Sequence, residues 1–387
     1  AALHAMLLLR LVRRNLVSVV LKRRRGLTEW TAASPARSLV IDGEACAASD
    51  GAEVAVVSPL DGSVVGSLSE ASLEDAQRCV AAARRALRRR SRGNRSLVLR
   101  AAAAYLSENV DAFAELETRD CGKPISETRF DIEYSARILT YYADLSPADE
   151  EAKGFTFARV PRGVCALVSP WNYPLMQAVL KIAPCLKAGN VGIVKPSPLA
   201  SLTCVKFVNE APGLKDEGLL QLLTGGPPAK GAERLAPLLT ETDFVSFTGS
   251  ERGGLQVLQS SSNVRPSALE LGGKSALLVL SDADLDVAVS LCLDGVLPAS
   301  GQICSATSRL ILHASVHDAF LDSLKKRLEA LCYDQDPLSE DCVFGTLVSR
   351  EHRDRVNAVV EDAVRRRDGH LFVDLRRHVG DAAFKLG

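Results

Sequence analysis

Two kinds of segment alternate through the middle of this chain, and this alternation limits the folds that it can adopt. Short apolar runs with the length of buried strands occupy residues 163–168, 191–194, 219–223 and 245–247. Between them lie stretches with the length and composition of helices, at residues 175–187, 202–210 and 230–239. Strands that alternate with such helices form βαβ units on a parallel sheet, which typically binds a nucleotide. The sequence therefore predicts an α/β fold.

The region before this alternation is predicted to be largely helical. Ser72 and Asp75 have the spacing of a reciprocal capping box at the start of a helix with one apolar face. We expect a second helix from Ser96 to Arg119 and a third from Ser126 to Tyr142. A further α/β run begins near Leu277, after the alternation has ended.

The first 37 residues differ from the rest of the chain. Seven arginines and lysines precede Glu29, and no acidic residue does. Arginine interrupts the apolar run too often for it to span a bilayer. An arginine-rich, acid-poor start is typical of an organelle transit peptide. The alternative is a disordered or untranslated stretch, and the composition favours neither over the other.

The composition excludes several classes of protein. A length of 387 residues allows two domains, each with its own core. The 47 basic and 47 acidic residues balance, which gives no reason to expect a nucleic acid partner. The ten cysteines include no C-x-x-C pair and no cluster with histidine, so we predict neither a metal site nor a disulfide scaffold. A reducing compartment, either the cytoplasm or an organelle such as a mitochondrion or plastid, follows as the simpler expectation.

Two segments carry the residues for covalent chemistry. Cys304 lies in the polar stretch Gly301–Leu310, which suits a turn better than a core. Glu270 lies 34 residues upstream, in Leu269–Lys274. A thiol and a carboxylate are the groups needed to form and then hydrolyse a thioester. The alternatives are a small buried hydrophobe for Cys304 and a surface carboxylate for Glu270.

Together these segments resemble the signatures of the aldehyde dehydrogenase superfamily, within which the betaine aldehyde and aminoaldehyde dehydrogenases are most similar. The resemblance runs from about Ser38 to Gly369 and is carried by Gly301–Leu310, Leu269–Lys274, Trp171–Pro174, Lys195–Ser197 and Tyr141–Leu145. It implies oxidation of an aldehyde to a carboxylic acid with NAD or NADP by a homo-oligomeric enzyme.

The resemblance also implies a domain organisation. Residues 38–268 would form a Rossmann-like NAD(P)-binding domain, with part of an oligomerisation segment near 145–160. Residues 269–387 would form an α/β catalytic domain that is incomplete at its carboxyl end, because the family's later Glu-Ile/Val-Phe-Gly-Pro motif has no counterpart. We expect no membrane span.

The catalytic roles follow from the family. Cys304 would be the nucleophile, and the side-chain amide of Asn172 and the backbone N–H of Cys304 would hold the oxyanion. Glu270 would activate water against the thioester, helped by desolvation from the apolar residues before it. Asn172 could also cap the helix that begins near Leu175.

Cofactor binding is assigned by the resemblance to Lys195, Ser197, Gly249, Ser250, Gly254, Trp171 and Leu271. The glycines would let backbone N–H groups approach a pyrophosphate at a helix start. Taken without the family, this glycine spacing is more often a tight turn, and a lysine at a strand end is usually solvated. Pro198 stands where the family usually has a glutamate that binds ribose hydroxyls, which predicts weaker NAD binding and less discrimination against NADP.

The substrate is less well defined by the sequence. Tyr173 matches one wall of the family's aromatic box for a quaternary ammonium, but Leu180 and Pro298 stand where tryptophans would. Asp131 and Glu133 could attract a cationic aminoaldehyde, although exposed helix charges are the commoner explanation for such residues.

Two other functions are compatible with the sequence. One is a non-catalytic remnant of the family that binds a nucleotide or a partner chain. The other is a cysteine hydrolase, which would need a histidine base. Five of the six histidines follow Cys304, and none has a recognisable motif around it, so the hydrolase ranks last.

Overall fold

The structure is a computed structural model of the chain. It describes residues 37–89, 94–146, 150–152, 154–225, 236–260, 264–333, 335–367, 369 and 372–373. All of them fall in one unit, Thr31–Gly387. The leader predicted before residue 37 and most of the helix predicted at 230–239 lie outside the described residues.

The strands are numbered in chain order. They are β1 (Leu39–Ile41), β2 (Glu44–Cys46), β3 (Glu53–Val57), β4 (Val64–Ser69), β5 (Glu150–Ala152), β6 (Phe155–Phe157), β7 (Val164–Val168), β8 (Val191–Lys195), β9 (Leu220–Leu222), β10 (Phe244–Thr248), β11 (Ser267–Glu270), β12 (Ala276–Val279) and β13 (Arg309–Leu312).

The helices are numbered in the same way. They are α1 (Leu73–Arg88), α2 (Arg95–Glu108), α3 (Val110–Cys121), α4 (Ile125–Asp144), α5 (Pro174–Lys187), α6 (Leu202–Glu210), α7 (Ala236–Thr240), α8 (Glu251–Gln259), α9 (Leu285–Val296), α10 (His317–Glu329) and α11 (Arg350–Arg366). Within the described ranges, none of these helices is long and apolar enough to cross a membrane.

The predicted parallel sheet is present. Seven strands lie in the order β11-β10-β7-β8-β9-β1-β2, and the five from β11 to β9 are parallel to one another. Alternate residues of β7 enter two different cores. Val164 and Ala166 join the cluster on the side of α1, whereas Cys165 and Leu167 join the cluster with α5. Burial on both faces explains why this strand is continuously apolar.

Two helix predictions had different outcomes. The capping box is confirmed, because Ser72 accepts from the backbone N–H of Asp75 and the Asp75 side chain accepts from that of Ser72. The single helix predicted from Ser96 to Arg119 is wrong, since α2 ends at Glu108 and α3 begins at Val110. The Asn109 amide between them donates to the Tyr105 carbonyl, so an asparagine side chain competes with the helical backbone there.

The smaller sheets complete the described fold. The parallel pair β12–β13 packs with α9 and α10 around a separate apolar cluster. The domain boundary expected near Leu269 falls close to the end of β11, and it stays a prediction. A short antiparallel hairpin, β5–β6, occupies the segment near 145–160 that the family resemblance links to oligomerisation.

The sheet order determines where a site can form. Parallel strands point their carboxyl ends at one edge, and ligands of such sheets bind there. Backbone hydrogen bonds join neighbouring strand ends at this edge, from Ser169 to Lys195 at 3.1 Å and from Gly249 to Glu270 at 3.0 Å. The ends of β7, β8, β10 and β11 therefore lie side by side.

Candidate active site

Cys304 lies in a turn between the kinked segment Pro298–Gly301 and strand β13. All ten cysteines are free thiols. Cys304 is exposed, whereas most of the others are buried. The structure thus places the thiol where its polar neighbours predicted it, accessible to a reactant. The backbone N–H of Thr307 donates to the Gly295 carbonyl at 2.9 Å, which fixes the end of this turn to α9.

The segment that follows β11 passes directly against the Cys304 turn. A Cβ atom added to Gly273 would lie 2.6 Å from the Cys304 carbonyl oxygen, so only glycine fits there. Glu270, three residues earlier, ends β11 with its side chain exposed. The two signature segments are therefore neighbours in space. The prediction that Ala268 and Leu269 desolvate Glu270 is wrong, because Glu270 is exposed.

Lys181 is a residue that the sequence analysis did not single out. It is buried in α5, and its ammonium donates to the hydroxyls of Ser246 at 3.1 Å and Thr248 at 2.7 Å. Burial lowers the pKa of Lys181 to about 8, against the opposing effect of the negative charge of Glu270. A lysine on the buried face of an apolar helix was the available signal.

Asn172 lies between β7 and α5, and it points toward the nucleophile's turn. Its side-chain amide donates a 2.7 Å hydrogen bond to the Gln302 carbonyl, two residues before Cys304. The alternative role as a helix cap is not observed, because Tyr173 occupies the cap position and Pro174 begins the helix. The asparagine therefore faces the site and not the helix end.

A buried carboxyl group from another helix caps α5 instead. Glu117 accepts from the backbone N–H of Leu175 at 3.2 Å and from the hydroxyl of Thr203 at 2.9 Å. Burial raises the pKa of Glu117 to about 7. This contact fixes the helix start that follows Asn172, and no local pattern indicates it because the partners are 58 residues apart.

Tyr173 is held by a buried ion pair. The ammonium of Lys123 lies 3.9 Å from the centre of the Tyr173 ring and is paired with Asp131. Burial raises the pKa of Tyr173, against the opposing effect of the positive charge of Lys123. The interpretation of Asp131 as an exposed helix charge is wrong, since it is buried, whereas Glu133 is exposed.

Lys195 ends β8 as a buried ammonium. Its side chain donates to the Pro196 carbonyl at 2.7 Å, and burial lowers its pKa to about 8. The interpretation of a solvated lysine is therefore wrong. Ser197 lies in the turn that follows, where its hydroxyl accepts from the backbone N–H of Leu199 at 3.3 Å.

The glycine-rich segment opens α8 as predicted. Ser250 caps this helix by accepting from the backbone N–H of Gly253 at 3.2 Å. A Cβ atom on Gly249 would lie 2.7 Å from the Phe247 ring, and one on Gly254 would lie 2.8 Å from Leu271. These glycines thus allow close packing within the chain and bring Leu271 against α8.

Trp171, the remaining residue assigned to the cofactor, packs edge-on against His352, with ring centres 5.2 Å apart. Burial lowers the pKa of His352, which favours its neutral form beside the indole. Among the residues with described positions, no group of three histidine, cysteine or acidic side chains could hold a metal ion.

Comparison with known proteins identifies a family for this chain. The sequence profile described as "Aldehyde dehydrogenase family" matches residues 46–374. The chloroplastic betaine aldehyde dehydrogenase of Amaranthus hypochondriacus is 39% identical over 352 residues, which cover 85% of this chain and 69% of that protein. The peroxisomal aminoaldehyde dehydrogenase 2 of Pisum sativum is 39% identical over 353 residues, with the same shares covered.

A solved structure is similar as well. Betaine aldehyde dehydrogenase from Staphylococcus aureus, in complex with NAD+, superposes with a TM-score of 0.80 at 30% identity, covering 87% of this chain and 69% of that one. The fold and the site define an NAD(P)-type α/β oxidoreductase. The chain belongs to the aldehyde dehydrogenase family.

Proposed function

We propose that this protein oxidises an aldehyde to a carboxylic acid through a covalent thioester on Cys304, with Asn172 and Glu270 as its catalytic partners. The observation that carries the proposal is the hydrogen bond from the Asn172 amide to the Gln302 carbonyl, which brings an oxyanion donor to the turn of the nucleophile. The packing of Gly273 against Cys304 supports the same arrangement, because it brings the Glu270 segment to that turn.

In the first step the Cys304 thiolate, whose proton has passed to solvent, forms a bond to the aldehyde carbon as the carbonyl π bond breaks, and the carbonyl oxygen takes up the negative charge. The Asn172 amide carries two N–H groups, of which one donates to Gln302. The other is available to the oxyanion, together with the backbone N–H of Cys304. Loss of one such donor typically lowers the rate by about 10²–10³-fold.

In the last step water attacks the thioester carbon and the Cys304 thiolate leaves. Glu270 would accept the proton of this water, and its exposure at the end of β11 gives it access to solvent. Lys181 interacts electrostatically with Glu270, and burial lowers the pKa of Lys181 to about 8. A change in the charge of Lys181 around pH 8 can therefore influence this proton transfer.

The residues at the carboxyl edge fit a nicotinamide cofactor. Lys195 is buried at the end of β8 and already donates a hydrogen bond there, so its side chain would donate to ribose hydroxyls, with Ser197 in the turn that follows. Ser250 and the start of α8 would face the phosphates, and Trp171 and Leu271 would line the same site. When bound, NAD or NADP would supply the acceptor for the hydride that leaves the thiohemiacetal.

The substrate that we propose is an aldehyde of the aminoaldehyde or betaine aldehyde type, since the relatives carry these names. The missing tryptophans at Leu180 and Pro298 favour an aminoaldehyde over betaine aldehyde. We also propose a reducing compartment, the cytoplasm or an organelle, because relatives are described as chloroplastic or peroxisomal and Cys304 must stay a free thiol.

The test is NAD(P)H formation with a panel of aldehydes, comparing the wild type with Cys304→Ala. Cys332→Ala is a matched control, because Cys332 is the other exposed cysteine. We expect Cys304→Ala to abolish NAD(P)H formation and Cys332→Ala to leave it within about twofold. A folded wild type that reduces neither cofactor, or an active Cys304→Ala, would contradict the proposal. Acid release without NAD(P)H would indicate a hydrolase.

A further inference from the structure

We propose that Gln302 is a positioning residue that holds the Asn172 amide and the Cys304 turn in a single arrangement. The proposal deepens the function above and rests on it. Gln302 lies in the catalytic signature, two residues before the nucleophile, and no role was assigned to it from the sequence. It is half-buried, and both its backbone and its side chain take part in hydrogen bonds.

The backbone carbonyl of Gln302 orients the Asn172 side chain. This carbonyl accepts from the Asn172 amide nitrogen at 2.7 Å. A primary amide is planar, so fixing one of its N–H groups also fixes the direction of the other. The position of the Gln302 carbonyl therefore determines where Asn172 can donate to an oxyanion.

The turn before Gln302 is strained, and Gln302 closes it. Ala299, Ser300 and Gly301 have φ angles of 49°, 56° and 77° in succession. A residue other than glycine in this region costs about 1–2 kcal/mol. The Ala299 carbonyl accepts two hydrogen bonds, at 3.1 Å from the Gln302 backbone N–H and at 2.8 Å from its side-chain amide.

The Gln302 side chain also ties this turn to a distant segment. Its amide donates to the Thr346 carbonyl at 3.3 Å, and its side-chain oxygen accepts from the backbone N–H of Val348 at 3.0 Å. The backbone N–H of Thr346 in turn donates to the Gly122 carbonyl at 2.8 Å, next to Lys123. The side chain thus links the turn of the nucleophile to the loop that carries the lysine on Tyr173.

No other side chain offers the same contacts at this reach. Glutamate in its charged form would lose both donors, and asparagine keeps the same groups on a chain that is one methylene shorter. Gln302→Asn is therefore the sharper test, because it changes the reach of the amide and leaves its chemistry intact. A displacement of about 1 Å at a reacting group can cost roughly 10²-fold in rate.

The kinetic experiment compares Gln302→Asn with Gln77→Ala, which alters an exposed glutamine on α1. We expect Gln302→Asn to lower kcat by about 10–100-fold and to change the KM for NAD by less than about twofold. Combined with Asn172→Ala, it should add little further loss, because its effect passes through Asn172. An unchanged kcat, or losses that multiply fully in the double variant, would overturn the proposal.

Hydrogen–deuterium exchange tests the same inference without any turnover. Peptides covering residues 301–308 should exchange about tenfold faster in Gln302→Asn and at the wild-type rate in Gln77→Ala. If the wild type oxidises no aldehyde, the proposed function fails, but exchange still reports whether Gln302 anchors the turn. Unchanged exchange in a folded Gln302→Asn protein would refute that anchoring.

Discussion

The ammonium of Lys123 lies 3.9 Å from the centre of the Tyr173 ring. The same lysine pairs with Asp131, and both charged groups are buried. Tyr173 stands at the position of one wall of the aromatic box that binds a quaternary ammonium in similar enzymes of the family. Because an internal cation already contacts one face of this ring, that face cannot also stabilise a cationic substrate.

Removal of Lys123 should strongly destabilise the protein. Lys123→Met would leave the Asp131 carboxyl buried without its partner, and breaking a buried pair in this way costs about 3–5 kcal/mol. Urea unfolding would measure the change. Glu115→Ala breaks the exposed pair with Arg119 and is a matched control, expected to cost about 0–1 kcal/mol. Equal losses of unfolding free energy in the two variants would show that the buried pair contributes no more to stability than the exposed pair.

Restoring an aromatic wall should improve the use of betaine aldehyde. Leu180 is an exposed apolar residue of α5, at a position where the family's aromatic box has tryptophan. Each cation–π contact contributes about 0.5–2 kcal/mol, so Leu180→Trp should raise kcat/KM for betaine aldehyde by roughly 2–30-fold. Leu180→Ile controls for the loss of leucine. A matching rise for an uncharged aldehyde would mean that hydrophobicity, and not charge, explains the gain.

A carboxylate at position 198 should sharpen cofactor choice. Pro198→Glu would add an acceptor for ribose hydroxyls and a negative charge that repels a 2′-phosphate. We expect the ratio of kcat/KM for NAD over NADP to rise by about tenfold or more, since about 1.4 kcal/mol of repulsion suffices. Pro198→Gln supplies similar polarity without charge. If both variants shift the ratio equally, electrostatic repulsion is not the cause.

The buried Lys195 should leave a signature in the pH dependence of stability. Burial lowers its pKa to about 8 from a usual value near 10.5. Between those two values the unfolded chain binds more protons than the folded protein, so this residue makes stability rise with pH there. Below pH 8 the lysine is protonated in both states, and its contribution is constant.

Lys195→Met removes that rising contribution. From about pH 7.5 to about pH 9.5, the free energy of unfolding of the wild type should rise relative to that of the variant. Lys326→Met, which alters an exposed lysine of α10, should show no such shift. Urea unfolding at the two pH values measures both. A constant difference between the wild type and Lys195→Met would mean that Lys195 titrates normally.

Much of the fold could be predicted because the relevant signals are local. The apolar runs of β7 and β8 and the capping box at Ser72 depend on neighbouring residues, and both predictions hold in the structure. The break at Asn109 was missed because a single asparagine interrupts an otherwise continuous helical pattern. Long-range partners such as Glu117 for α5 leave no pattern within a sequence window.

Motif order and periodicity are properties of the chain, so the family, the parallel sheet and the candidate reacting groups could all be inferred from the sequence. The arrangement of those groups depends on tertiary structure. The tertiary structure turned Asn172 toward Gln302 and away from the helix end, buried Asp131 against Lys123, and left Glu270 exposed. Burial and hydrogen-bond partners are set by segments far apart in sequence, which meet only when the sheet is assembled.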